Sequence, residues 1–173
     1  MLGAVPVVIV IARIDDRLIH GQVTVGWSRF LRLEKIVVLS DELAGDETQR
    51  LLLGMGVPEE TAFEMGSVAE MAVRLRDEEF IKPRTMLLAA APKAFRSLVL
   101  EHGFPLEEIN LGGQRYEGGA IPICEGVMLT EEALADLKVL AEHGVKIEVR
   151  ATPAEPKRDL FAMPILARDG AGE

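Results

Sequence analysis

The run Val7-Val8-Ile9-Val10-Ile11-Ala12 is wholly apolar and mostly β-branched, and related short runs recur at Lys35–Ser40 and Thr85–Ala91, with more polar ones at Thr61–Gly66, Glu107–Leu111 and Val145–Arg150. Runs this short and this apolar read as strands covered on both faces. The stretches between them have helical spacing instead. Val23, Trp27, Phe30 and Leu31 mark a helix over Gly21–Arg32, and Leu51, Leu52 and Met55 the inward face of a second over Asp46–Met55 that breaks at Gly54, Gly56 and Pro58. Ser67-Val68-Ala69-Glu70 is a capping-box pattern that opens a helix to about Glu79, with Met71, Val73 and Leu75 on its apolar face. Pro92 starts a helix that runs to His102 and stops at Gly103, and Thr130-Glu131-Glu132 opens one that runs to His143 and closes at Gly144. Strands alternating with helices predict an α/β fold with an open, largely parallel sheet of six or seven strands and helices on both faces, its strand order left open.

At 173 residues the chain suits a single domain, with a core over about residues 5–150. Residues 116–128, with Gly118-Gly119 and Pro122, read as an irregular crossing or an edge strand. Val145–Arg150 reads as the final strand, and 151–173 as a tail without sustained period in which Leu160-Phe161 pack back and the end frays. A net charge of -9 without a basic stripe argues against a nucleic-acid surface. The single Cys124 offers no internal disulfide, which points to a reducing cytoplasm. The apolar start lacks the basic residues of a signal peptide, and no stretch is long enough to span a bilayer, so membrane contact is expected only through partners.

The chemistry concentrates between the first strand and the first helix, in Arg13-Ile14-Asp15-Asp16-Arg17-Leu18-Ile19-His20-Gly21-Gln22. Open α/β sheets bind ligands at the carboxyl ends of their strands, and a helix start favours an anion. Phosphoryl transfer asks for a nucleophile and for cations around the phosphoryl oxygens. A neutral His20 supplies the first, Arg17 and Arg13 offer planar forks for the second, and Asp15 or Asp16 can bond the other ring nitrogen and fix its tautomer. The commoner role of such a histidine is a cap or a surface group. Ser40 and Asp41, after the second apolar run, arrive at the same edge. Gly112 and Gly113, after Asn110, either form a turn or let backbone N–H groups approach a phosphate. His102 and His143 both stand in Glu-His-Gly at predicted helix ends, where a basic group complements the carbonyl terminus. No local histidine spacing suits a metal, and no cofactor is called for.

The stretch from Arg13 to Val23, with Trp27 seven residues past His20, resembles the active loop of the IIB components of the mannose/fructose/sorbose class of the phosphoenolpyruvate-dependent sugar phosphotransferase system. Ile36-Val37-Val38-Leu39-Ser40-Asp41-Glu42, Asn110-Leu111-Gly112-Gly113 and Ile147-Glu148-Val149-Arg150 are similar to later segments of that family, so the likeness covers about residues 7–150. It implies a protein-phosphohistidine:sugar phosphotransferase in which His20 is loaded by a IIA phosphohistidine and unloaded onto a sugar held by membrane IIC and IID subunits. Such a protein would be cytoplasmic and peripheral to the membrane through those subunits. His20, Arg17 and Asp16 would then be catalytic, with Arg13, Asp15, Gly21, Gln22, Ser40, Asp41, Asn110, Gly112 and Gly113 binding phosphate or supporting the loop. The sequence departs from the family at Gln49, where relatives usually carry an arginine that matters for the sugar step; here the arginine is Arg50, turned by about 100° on a helix. That departure leaves open a regulatory phosphocarrier that moves no sugar. A non-covalent phospholigand-binding protein is the third reading. Neither the sugar nor the oligomeric state is legible.

Overall fold

The computed structural model describes residues 9–116 and 120–167. Seven strands form one sheet in the order β3-β2-β4-β1-β5-β8-β9. They are β1 (Ile9–Ile14), β2 (Lys35–Leu39), β3 (Ala62–Gly66), β4 (Thr85–Ala89), β5 (Glu108–Leu111), β8 (Lys146–Val149) and β9 (Arg158–Asp159). All neighbours are parallel except β8 and β9. The helices are α1 (Ser28–Leu31), α2 (Glu47–Met55), α3 (Val68–Arg74), α4 (Glu78–Ile81), α5 (Pro92–Leu100), α6 (Glu131–Glu142) and α7 (Pro164–Ala167), and a π-helical turn over Gln22–Trp27 runs straight into α1.

Strand alternation divides the apolar interior in two. Val37, Leu39, Leu87 and Ala89 turn to one face, where α3, α5 and α6 cover them with Met71, Phe95, Leu98, Leu137 and Leu140. Ile36, Val38, Met86 and Leu88 turn to the other, against Val23 and Trp27 from the segment that follows the His20 loop. The sheet is therefore open and mostly parallel with helices on both faces, as expected.

Several local expectations change. Leu51, Leu52 and Met55 do not face inward; they are 67%, 56% and 75% exposed. The underside of α2 is built instead from Leu53, from Gly54, whose missing side chain admits Phe63, and from Arg50, which donates to the carbonyls of Met65 (2.7 Å) and Ala44 (3.2 Å). Three leucines in a row mark no face by themselves, and the inward-turned arginine reversed the apparent one. Phe30 and Val73 are likewise exposed. The helix expected to reach Glu79 stops at Leu75, and Asp77 caps a separate α4 by accepting from the N–H of Glu79. Val145–Arg150 does not hold the last strand: β9 adds antiparallel to β8, and Leu160 beside it is fully buried. Within 116–128, β6 (Ile121–Cys124) and β7 (Val127–Leu129) make an antiparallel pair apart from the main sheet. Gly118-Gly119, Val7-Val8 and the end expected to fray, 168–173, fall outside the described residues.

The register of the central strands builds the support for the site. Arg13 on β1 pairs with Asn110 on β5, which pairs with Glu148 on β8, so three polar side chains stand in a row across the sheet. All three are buried. Arg13 Nη1 donates to Asn110 Oδ1 and to the carbonyl of Arg150, and Nη2 donates to Asp15 Oδ2 (2.8 Å) and to the carbonyl of Ala151 (3.2 Å). Asn110 Nδ2 donates to Glu148 Oε1 (3.0 Å), which also receives Arg150. A buried charge survives only when it is partnered in this way. Gly112 is what lets the guanidinium lie there, since a Cβ on it would stand 2.2 Å from Arg13 Nη2. Gly112→Ala is accordingly expected to lower unfolding free energy by about 1–3 kcal/mol, the usual cost of overpacking. Gly45→Ala, with nothing within 4 Å of its added methyl, is expected to stay within about 0.5 kcal/mol of the parent in the same urea titration. Equal midpoints for the two variants would show that Arg13 is not seated against Gly112.

Candidate functional site

β1 continues to Ile14, so Arg13 belongs to the strand and the loop proper begins at Asp15. Asp15 has no solvent exposure and collects most of the loop's donors. Its Oδ2 takes Arg13 Nη2 at 2.8 Å and Arg17 Nη2 at 3.2 Å. Its Oδ1 takes Arg17 Nε at 3.1 Å and the Arg17 backbone N–H at 3.2 Å. The chain turns tightly around this carboxylate: Leu18 N–H donates to the Asp15 carbonyl, with Leu18 in the left-handed region at φ 53° and its side chain buried. A branched apolar residue rarely adopts that conformation, so the turn is imposed by the contacts around it. Burial pushes the Asp15 carboxyl up, but the contacts of His20 and Arg17 and the charge of Arg13 outweigh it and hold the group well below the usual carboxylate range. The stabilisation this gives is complete above the ordinary aspartate range, about pH 4, and is lost as pH falls below it.

His20 is held by the same carboxylate. Nε2 lies 3.0 Å from Asp15 Oδ2, although the pair is not aligned as a straight hydrogen bond and Nε2 has no other partner. The His20 side chain is 15% exposed, and Nδ1 has no partner among the described residues. The His20 carbonyl begins the helical winding by accepting from the N–H of Val23 (2.9 Å) and Thr24 (3.0 Å). Arg17 is 29% exposed; its Nη2 also donates to Gln22 Oε1 at 2.8 Å, while Nη1 is without a partner among the described residues. Arg17 is therefore aimed by Asp15 and Gln22 with one edge of its fork still outward. Gly21 has nothing within 4 Å of an added Cβ, so no steric demand explains it.

Six residues, Arg13, Gly112, Gly113, Ser40, Asp41 and Asp16, take other roles than a phosphate ligand. Arg13, read as a second fork, has no solvent exposure and both of its terminal nitrogens are engaged, so it supports Asp15. Gly112 spends its N–H on the Ile14 carbonyl (2.8 Å), and the glycine pair makes room for Arg13 and Asp15; a Cβ on Gly113 would stand 3.2 Å from Asp15 Oδ1. Ser40 hydroxyl bonds Glu42 and the Leu43 N–H, and Asp41 caps α3 by accepting from Val68 N–H (2.8 Å). Asp16 turns from His20: its N–H donates to the Gly113 carbonyl and its carboxylate accepts from Arg115 N–H (2.8 Å), clamping the loop after β1 to the loop after β5. Asp15, not Asp16, is the carboxylate that stands against the His20 ring.

Sequence reading missed Arg115 and the buttress behind Arg13. Two guanidinium groups lie over the Trp27 ring, Arg13 at 5.2 Å and Arg150 at 4.9 Å from its centre, and its Nε1 donates to the Ala151 carbonyl at 3.0 Å. The available signal was the alternation of charged Lys146, Glu148 and Arg150 with apolar Ile147 and Val149. The His143 ring bonds the Val139 carbonyl at the end of α6, as a helix-end histidine does. Two clefts among the described residues, about 670 and 400 Å³, are not lined by His20. No group of three possible metal ligands occurs among the described residues. What remains at the loop is a partly exposed imidazole with one nitrogen against a buried carboxylate, beside an outward arginine edge.

Residues 9–171 match the family described as the PTS system sorbose subfamily IIB component. The chain is 34% identical over 151 residues to the fructose-specific EIIB component of Bacillus subtilis, covering 87% of this chain and 92% of that one. It is 34% identical over 150 residues to the mannose-specific EIIAB component of Escherichia coli, covering 87% of this chain and 46% of that one. The solved IIBSor domain of the sorbose permease from Klebsiella pneumoniae superposes with a TM-score of 0.82 at 26% identity, covering 95% of this chain and 98% of that one. The likeness spans the whole His20 loop, the sheet that carries it and the buttress behind it, and the chain belongs to the sorbose-subfamily IIB components of the phosphotransferase system.

Proposed function

We propose that the protein is a phosphohistidine carrier: His20 accepts a phosphoryl group from a IIA protein and passes it to a sugar held by membrane IIC and IID subunits. The observation that carries this reading is the placement of Asp15 Oδ2 3.0 Å from His20 Nε2. A carboxylate there favours the tautomer with the proton on Nε2, and so leaves the lone pair on Nδ1. In the loading step Nδ1 attacks phosphorus in line, the bond from phosphorus to the donor histidine breaks, and the electron pair returns to the donor ring. Asp15 stabilises the positive charge that develops on the His20 ring. Arg17 faces the equatorial oxygens with its outward edge, and two guanidinium groups, Arg13 and Arg17, against the single Asp15 leave one net positive charge for the phosphoryl group. In the unloading step a sugar hydroxyl attacks, the bond from phosphorus to Nδ1 breaks, and the hydroxyl proton leaves to solvent or to a base beside the sugar.

A group that must meet one protein and then another is better placed on a loop open to solvent than in a closed pocket, and His20 is partly exposed. The EIIAB name of the Escherichia coli relative supports a IIA partner. No helix among the described residues is long and apolar enough to cross a membrane; work at the inner membrane face would come through the IIC and IID subunits. His20→Gln is expected to fold and take up no phosphoryl group from phosphoenolpyruvate, the general phosphotransfer proteins and the cognate IIA, whereas His102→Gln and His143→Gln gain one each by intact mass. Phosphorylation surviving in His20→Gln would move the site elsewhere. No uptake by the parent would leave a non-covalent phospholigand protein.

A second reading rests on α2. The arginine there, Arg50, is folded onto the Met65 and Ala44 carbonyls with Glu47 3.9 Å away, and the preceding position is the uncharged Gln49. A neutral amide gives a phosphoryl oxygen bonds about half as strong as charge-assisted ones. This favours a protein that loads normally and delivers to sugar slowly, reporting nutrient state more than moving sugar. In single-turnover transfer from phospho-His20 to sugar in vesicles bearing IIC and IID, Gln49→Arg is expected to be faster than the parent, with equal loading by IIA. Equal delivery rates would remove the support for the regulatory role.

A further inference from the structure

α2 buries one side and leaves the other bare. Leu51, Leu52 and Met55 fall within about 100° of helical arc and are all more than half exposed. Aliphatic side chains gathered on one helix face mark a contact surface, whereas scattered ones do not. The helix that carries this strip ends against the active loop. Gly56, at its end, packs over the residue before His20, with Ile19 Cγ2 2.8 Å from where a Cβ would stand. A body seated on the strip is therefore beside the phosphoryl-bearing histidine.

The charge around the strip narrows what that body is. Residues 41–60 hold six acidic side chains, Asp41, Glu42, Asp46, Glu47, Glu59 and Glu60, and one basic one, Arg50, so the segment carries -5 of the chain's net -9. All six acids are exposed and flank the apolar strip in sequence on both sides, while Arg50 is turned inward. The matching surface has an apolar centre and a basic rim. Cytoplasmic loops of membrane proteins carry an excess of lysine and arginine, whereas an anionic lipid surface repels a patch of this sign.

We propose that the outward face of α2 docks the basic cytoplasmic loops of the membrane subunit that receives the phosphoryl group. This rests on the phosphocarrier reading, and it places delivery and loading on separable surfaces. The double variant Leu51→Ser/Met55→Ser alters only exposed side chains, and an unchanged circular dichroism melt checks that it folds. In membrane vesicles bearing IIC and IID, the concentration of phosphorylated protein giving half-maximal sugar phosphorylation is expected to rise about tenfold, as loss of an apolar anchor does. Loading by IIA is expected to be unchanged, and raised salt is expected to weaken the parent's half-maximal concentration in the same direction. An equal loss in both steps would assign the face to the phosphoryl donor and overturn the proposal. So would a variant indistinguishable from the parent in both, or light scattering that shows a parent dimer lost in the variant. A parent that gains no phosphoryl group on His20 would instead remove the phosphocarrier reading itself.

Discussion

A single buried carboxylate organises this molecule's chemistry. Asp15 sits at the end of the central strand with no exposure to solvent, and Arg13, Arg17 and His20 all converge on it. An ion placed there alone would be strongly destabilising. With guanidinium groups on two sides it stays ionised well below the usual carboxylate range, and it fixes three side chains at once. The tight Leu18 turn, the aim of Arg17 and the orientation of the His20 ring are consequences of satisfying that charge.

The sheet supplies the other half of the arrangement. Parallel register puts Arg13, Asn110 and Glu148 side by side on β1, β5 and β8, so a chain of buried hydrogen bonds runs from the far side of the sheet to the loop. Gly112 and Gly113 matter as absent side chains beside Arg13 and Asp15. Networks of this kind are rigid when every member is satisfied and costly when one is removed. The loop is thereby held to the sheet while His20 itself stays partly open, as the proposed carrier role would require.

Much of this was legible in the residues. Uninterrupted apolar runs such as Ile36-Val37-Val38-Leu39 announced strands buried on both faces, Thr130 and Ser67 announced helix starts, and the Arg13–Gln22 stretch announced the polar cluster that gathers on Asp15. What was not legible depended on tertiary contact. Whether Arg13 faced a ligand or a carboxylate could not be read from its position beside Asp15, because strand pairing with Asn110 decides it. Asp15 and Asp16 are neighbours with the same chemistry, yet they point to opposite sides of the chain, one to His20 and one to Arg115. The face of α2 was misread because Arg50 finds the Met65 and Ala44 carbonyls beneath the helix and turns the leucines outward. β9 is two residues long and carries no pattern to read.

The contact between Asp15 and His20 makes one claim that can be read at a single atom. If Asp15 holds Nε2, the phosphoryl group must reside on the other ring nitrogen. The protein labelled with ¹⁵N-histidine, phosphorylated and examined by long-range proton–nitrogen and phosphorus–nitrogen correlation, identifies the bonded nitrogen directly. Phosphorus coupled to Nδ1 of His20, with Nε2 still protonated, is the expected result; phosphorus coupled to Nε2 would mean that Asp15 does not orient the ring and would contradict its central place in the site.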